Sequence, residues 1–570
     1  MSGLPPDPVS PAGPGSNPPA GVAPSFPVPT TPNNLTDVPT RSERPASGRS
    51  AKLVASGIML SRIAGLVRER IFAQYFGVSI YSDAFRVALR MPGALQNLLG
   101  EGTLSASLIP VYAELLEHGR KEEAGRVAGA VFALLLAVAG GLSLVGVVLT
   151  PVFVTIFTPG FSGLQRELTI AAGRIIFPMT GLLVLSAWAL GILNSHRKFF
   201  ISYVSPVVWN AAMIATLLFF GGRMDSTDLV VALAWGALIG GFLQFAIQLP
   251  WVLSLERDLK VRWEPKLPGV RTAVRNAGPA IAGRGVVQLS GYVDIFLASV
   301  LAVGSVAALG FAQTLYILPI SLFGMSIAAA ELPELSRQRS AEAEALRERV
   351  NPALRHMAVL VVPSCVAFLL LGDIIVAALY QTGDFGADDT MFVYILLAGY
   401  SVGLLAATST RLFASTFFAL HDTKTPAKIA AVRVFASAIV GAALMLWLRG
   451  YSYAGHTLGP FGLSIAASGS AWLEWVLLRG SLRRRLGAVG SGTGLVLKLV
   501  ASAIVAALVG RAVLLVLPES LLPESEQLQH IAAAAYVIIP FGLVYFLLAR
   551  ALGVREAAAT VDRVFRRFKR

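Results

Sequence analysis

From Lys52 to about Gly553 the chain is a near-unbroken series of apolar runs, each as long as a bilayer is thick or slightly longer. A helix needs ~20 apolar residues to cross a membrane, where every backbone N–H and C=O must be satisfied within the segment. The runs fall near 53–76, 84–114, 126–157, 168–193, 202–221, 228–254, 272–300, 306–335, 353–379, 390–419, 427–448, 460–479, 494–517 and 531–552. They are continuous rather than alternating in period two, which excludes a closed β-barrel. The expected fold is an all-α polytopic membrane protein with about 14 transmembrane helices. Charged residues make up 14% of the chain, against roughly 25% in soluble domains.

The connections test this count independently. Alternate loops are basic, around Arg120–Lys121–Arg126, Arg197–Lys198, Arg257 to Arg275, Arg337 to Arg355, Lys424–Lys428 and Arg483–Arg485. The intervening loops, among them GVSIYS, AVGSV, YQTGDFGADD and PESLLPESEQLQ, are poor in Lys and Arg. The positive-inside bias keeps its phase through every span, which places both termini in the cytoplasm. The net charge of +14 therefore reads as loops facing the inner leaflet, not as a nucleic-acid surface. No loop is long enough to fold as a catalytic domain, so no enzyme is expected and the function belongs within the helices. A single cysteine, Cys365, and six scattered histidines offer neither a disulfide nor a metal cluster. No GxxxxGK[ST] loop is present. The driving force is expected to be the membrane potential or a Na+ or H+ gradient, with no cofactor. One charge crossing 100 mV supplies ~2.3 kcal/mol.

Residues 1–50, rich in Pro, Gly, Ser and Thr, read as a disordered cytoplasmic tail, either a solvated extension or a docking segment. They lack the pattern of a signal peptide. Residues 554–570 form a basic tail. Its Val561, Val564, Phe565 and Phe568 share a stripe, which suits either a helix lying on an anionic leaflet or a short solvated end. Between the tails lies an internal echo. GLLVLSAWALGILNSHRKFFISYVSP begins at Gly181, and GLLAATSTRLFASTFFALHDTKTP begins at Gly403, six spans later. It predicts two six-helix lobes, 51–260 and 261–487, followed by two C-terminal helices in 488–553.

Two early spans are unusual. Ser61–Pro110 carries Arg62, Arg68, Glu69, Arg70, Asp83, Arg86, Arg90 and Glu101. Charges inside a membrane usually face a bundle interior or a wet cavity. On an ideal helix Asp83, Arg86, Arg90, Asn97 and Glu101 fall within roughly a 60° arc, although Met91-Pro92-Gly93 predicts a kink. Several cations with acids beside them suit a pyrophosphate or another polyanion. The residues also admit other readings. Arg68 and Arg70 could snorkel to headgroups, Arg62 could be neutralised structurally, and Asp83 could cap its own helix. Arg284 and Asp294 share a later span, where Asp294 is either an ion site or half of a charge pair. Arg411 lies near the middle of its span and would add positive field.

The motifs SRIAGLVRERIFAQYFG, SDAFRVALRMP, GEGTLSASLIPVYAE, GPAIAG, GILNSHRKFF and DTKTPAKIA resemble those of the MurJ (MviN) lipid II flippases. That family lies within the multidrug/oligosaccharidyl-lipid/polysaccharide exporter superfamily. The resemblance covers the chain from about Leu53 to Gly553. It implies fourteen helices around a central cationic cavity, with the last two forming a lipid-tail groove. It implies transfer of the undecaprenyl-pyrophosphate-linked peptidoglycan precursor from the cytoplasmic to the outer leaflet of the bacterial inner membrane by alternating access. It further implies a monomer whose partners are the lipid-linked precursor, the bilayer and cell-wall synthesis proteins. The alternatives are a flippase for another polyprenyl-linked glycan and a cation-coupled drug exporter. Carried over by motif, functional residues fall on Arg62, Arg68, Glu69, Asp83 and Glu101; Arg86 and Arg90 are added here as cations of the same stretch. Two arginines common in the family are replaced by Gln96 and Thr314.

Overall fold

The structure, a computed structural model, describes residues 48–559 and 562, except 326, 328–342, 421, 454 and 519–522. Side chains are described from residue 56, except at 58, 94, 280, 282–290, 325, 343 and 345. Residues 1–47, the C-terminal stripe and the side chain of Arg284 lie outside that set.

The helices are α1 (Gly48–Phe76), α2 (Ile80–Leu99), α3 (Glu101–Glu117), α4 (Lys121–Phe157), α5 (Gly163–Ser195), α6 (Phe199–Phe220), α7 (Ser226–Leu255), α8 (Pro268–Ser299) and α9 (Ser305–Pro319). A π-helical turn, Ile320–Met325, continues α9. They are followed by α10 (Ala343–Leu370), α11 (Gly372–Tyr380), α12 (Ala387–Ser401), α13 (Leu404–Ala419) and α14 (Lys424–Leu448). A two-residue hairpin, β1 (Ser452–Tyr453) with β2 (His456–Thr457), leads to α15 (Gly459–Leu486), α16 (Thr493–Val516) and α17 (Glu526–Ala551). Each apolar run thus becomes one helix or a broken pair. Ten described helices are long and apolar enough to cross a membrane, or eleven when α12 and α13, bent by 45°, count as one. The other three runs, α1, α2–α3 and α8, include the charge-rich stretch Ser61–Pro110 and the span of Arg284 and Asp294.

The first lobe packs α4, α6 and α7 around α5, which is largely buried and also packs on α2. In the second, α12, α13 and α14 pack on α15, and α12 also packs on α9. Helices α16 and α17 pair with each other and lie against α10 and α11. Helix α8 belongs to neither side alone, because it runs along α3 and α4 as well as α14. Large apolar side chains such as Leu144, Val148, Phe435, Ile439 and Leu515 stay exposed on the outside, as lipid-facing residues do.

The echoing segments occupy equivalent places, the turn from the fourth span to the fifth (α5–α6) and from the tenth to the eleventh (α13–α14). The second turn is set by Asp422, which accepts from the Thr425 amide at 2.9 Å, the Thr425 hydroxyl at 2.7 Å and Arg485 at 2.5 Å. The Thr425 amide bond, first among these, holds the Asp422 carboxyl well below the usual range, at about 2. The DTKTP motif is therefore a helix-start device at this turn.

Helix α2 is shorter than the run near 84–114 that was expected to form one span. It passes continuously through Pro92 and breaks at Gly100, whose ψ of −149° is not helical. The Thr103 hydroxyl meets the Leu98 carbonyl there at 2.5 Å. The single stripe from Asp83 to Glu101 is consequently split between two helices.

Close packing within the first lobe is testable at Gly146 on α4. A Cβ there would lie 2.1 Å from the Phe177 ring on α5. Gly146→Val is expected to cost about 1–3 kcal/mol, read as a lower thermal midpoint in detergent.

Candidate functional site: a cavity sealed at one end

The α1–α2 turn is fastened to the second lobe. Arg70 donates to the carbonyls of Ala378 (2.6 Å) and Leu379 (3.2 Å) at the end of α11. The Asp384 amide donates to Gln74 O at 2.9 Å. The Val78 amide donates to Asp389 at 3.3 Å. Asp83, only 1% exposed, accepts from the Gly304 and Ala307 amides, each at 2.7 Å, and from Gln165 at 3.0 Å. Those two amides open α9, and Gly304 reaches that turn with φ +84°. A carboxylate at a helix N-terminus meets unsatisfied N–H groups and the positive end of the dipole. Asp83 therefore caps α9, some 220 residues away, while its own helix is capped by Ser79.

Directly inside this seal, Glu69 accepts from Arg68 and Arg86, both at 2.6 Å. Arg68 also donates to Asn210 at 3.0 Å and sits 5.0 Å from the Trp209 ring centre. The Arg86 guanidinium packs 4.1 Å from the Phe311 ring centre on α9 and 5.1 Å from Phe72. Glu69 thus holds two partly buried guanidiniums together. Removing one member of a buried charge cluster typically costs about 3–5 kcal/mol. Glu69→Gln is expected to lower the thermal midpoint markedly; an unchanged melting curve would show that water already screens the two arginines.

Beyond this trio a cavity of about 1160 Å³ extends past Arg62 and Ser61, toward the end of the bundle where α1 begins. Its charged described residues are Arg62, Arg68, Glu69 and Glu101. Among the described residues Arg62 and Glu101 make no ion pair or hydrogen bond with side chains, and both are exposed. Glu101 is placed in the cavity by the break at Gly100, which makes it the first residue of α3. Gln96 and Thr314 also line the cavity.

The structure therefore separates the seven substrate-site candidates. Arg62, Arg68, Glu69 and Glu101 line the cavity. Asp83 and Arg86 lie in the contact between lobes. Arg90 turns aside to Gln313 at 3.2 Å, and Gln313 in turn donates to Tyr400 at 2.9 Å. The charges acting on Asp294 are Arg90 and Arg433, and Arg433 pairs with Glu474 at 2.7 Å. Arg411 is exposed, near Tyr316, and does not line the cavity.

Several lining residues were not singled out from the sequence: Tyr203, Trp209, Asn210, Gln244 and Thr180. The signal was present for Asn210 and Gln244, which are amides inside apolar runs.

A family model described as "Lipid II flippase MurJ" matches residues 72–525. The lipid II flippase MurJ of Burkholderia cenocepacia is 31% identical over 443 residues, covering 76% of this chain and 84% of that protein. A probable lipid II flippase MurJ of Bdellovibrio bacteriovorus is 31% identical over 449 residues, covering 76% and 82%. Among solved structures, a lipid II flippase MurJ in an inward closed conformation has a TM-score of 0.70 at 23% identity, covering 88% of this chain and 99% of that one. An inward-facing multidrug resistance MATE family transporter of the MOP superfamily has a TM-score of 0.63 at 17% identity, covering 76% and 98%, which is likeness of fold.

Proposed function

This chain belongs to the lipid II flippase MurJ family, and from that premise we propose how its cavity handles the cargo. The protein is a multi-pass membrane transporter that moves lipid II, the lipid-linked peptidoglycan precursor, between leaflets by alternating access. We read the basic loops as cytoplasmic, with both termini there, so that the sealed end faces outward and the cavity faces the cytoplasm.

The observation that carries the site assignment is the contrast among the charges. Arg62 and Glu101 are uncommitted in the cavity, whereas Asp83 and Arg86 are spent on the seal. A pyrophosphate entering from the cytoplasmic leaflet meets Arg62, a forked donor able to bind it bidentately, and then Arg68, whose fork is shared with Glu69 and Asn210. Glu69 keeps Arg68 in place before the cargo arrives. Engagement of Arg68 by the anion would compete with Glu69, loosening the trio that abuts the second lobe through Arg86 and Phe311. The cargo's charge is thereby linked to opening of the seal. Asp294, which feels the charges of Arg90 and Arg433, acts in this reading as their electrostatic counterweight, and the membrane potential or an ion gradient drives the cycle.

The test is lipid II exposure in living cells. In bacteria depleted of their own flippase, expression of this chain should restore access of an external probe to lipid II. Failure to do so, with the protein present in the membrane, would overturn the reading.

A further inference from the structure

Beside the charged helices, the cavity has a wall with no formal charge, built by α5, α6 and α7. Four hydrogen bonds run through it. Gln244 Nε2 donates to Ser186 Oγ at 3.1 Å, and Ser186 Oγ donates to Gln248 Oε1 at 3.0 Å. Gln248 Nε2 donates to Ser205 Oγ at 2.5 Å, and Ser205 Oγ donates to the Ser202 carbonyl at 3.1 Å. Ser186, Gln248, Ser205 and Ser202 are each no more than 2% exposed, while Gln244 is half-buried and lines the cavity.

The direction of this relay is fixed from its inner end. A carbonyl only accepts, so Ser205 must donate to it and is left to accept from the Gln248 amide nitrogen. Gln248 then turns its oxygen to Ser186, which must donate, so Ser186 accepts from the nitrogen of Gln244. The Gln244 side chain cannot flip without breaking the sequence. Its Oε1 is left with no protein partner among the described residues. Nearby lining residues extend the same chemistry. The Tyr203 hydroxyl has no hydrogen-bond partner among the described residues. The Thr180 hydroxyl has none among them either. The Trp209 ring adds a flat apolar face.

We propose that this neutral wall is a glycan-binding face, and that the preoriented Gln244 carbonyl is a specificity-determining acceptor for hydroxyl or amide N–H donors of the sugar attached to the lipid pyrophosphate. The proposal rests on the reading of Arg62 and Arg68 as the pyrophosphate's partners. A fixed neutral acceptor does nothing for a phosphate, which offers acceptors only, but pairs with a sugar's donors. An acceptor buried by bound cargo and left unpaired is penalised, so the wall discriminates against a cargo without the sugar.

The experiment uses the full chain in nanodiscs and three ligands: undecaprenyl pyrophosphate, the same lipid bearing sugar without peptide, and the lipid bearing both. Gln244→Met, close in shape but without the acceptor, is expected to weaken binding of the sugar-bearing lipid by about ten-fold, with binding of the bare pyrophosphate lipid unchanged. Ser186→Ala, which frees Gln244 to rotate, is expected to shift the same ratio in the same direction. It carries the comparison if Gln244→Met does not fold. Equal losses on bare and sugar-bearing lipid would overturn the proposal, as would a loss seen only when peptide is attached. Arg62→Ala is the control for the underlying reading and should weaken all three ligands. If it leaves the bare lipid unaffected, the pyrophosphate assignment fails, whatever Gln244 does.

Discussion

Arg62→Ala is expected to abolish rescue of flippase-depleted cells while the protein still reaches the membrane. Arg62 is exposed to the cavity and carries no structural partner among the described residues. Its loss therefore leaves nothing buried and unpaired, and the fold should melt as the wild type does. What disappears is a charge-assisted fork for a phosphate. Such bonds contribute roughly 1.5–3 kcal/mol each, and a bidentate pair more than one. A loss of that size lowers affinity by about 10- to 100-fold or more. The cavity lining amplifies the effect. Its other arginine, Arg68, is already shared with Glu69 and Asn210, and Gln96 and Thr314 bring no charge. Arg62→Lys should recover part of the function, because an ammonium supplies charge without the fork. Normal growth of the alanine variant would remove Arg62 from the mechanism.

Asp83→Ala is expected to open the sealed end. The carboxylate takes two backbone N–H groups of the other lobe at 2.7 Å and a side-chain amide at 3.0 Å, all in a buried setting. Two charge-assisted bonds at roughly 1.5–3 kcal/mol each amount to a shift of about 100-fold or more between the sealed and open states. The single cysteine makes this measurable. In a Cys365→Ser background, Ser105→Cys places a thiol on the cavity wall. A membrane-impermeant maleimide applied from outside should label it slowly with Asp83 present and readily with Asp83→Ala. Equal, slow labelling of both would show that Arg70, the Gln74–Asp384 contact and Val78–Asp389 hold the seal by themselves.

Much of the architecture was legible because membrane spans are continuous and loop charge alternates. Those are long-range regularities that survive uncertainty at any one residue. The three runs not apolar and uncharged enough by themselves to mark a crossing, α1, α2–α3 and α8, were supported by the alternation of loop charge. The break at Gly100 inside the run 84–114 was not legible, because its cause, the Thr103 hydroxyl meeting a carbonyl, is not a pattern of residue types. The stripe from Asp83 to Glu101 was visible as a run of charges, but a stripe does not name its partner. Asp83 meets backbone amides of α9 and Arg86 meets the Phe311 ring, both distant in sequence. Gln244 and Asn210 went unmarked because a neutral amide in an apolar run attracts less notice than a charge. Yet their hydrogen bonds organise an entire wall.

The described cavity surface is supplied almost wholly by the first lobe, with α9 alone contributing from the second. One half of the molecule thus carries the recognition chemistry, and the other half provides the abutment it closes against. Such halves are free to diverge at different rates. A chimera joining the first half of this chain to the second half of a distant relative should keep this chain's cargo preference. Its cycling speed and its response to ions or voltage would follow the donor of the second half.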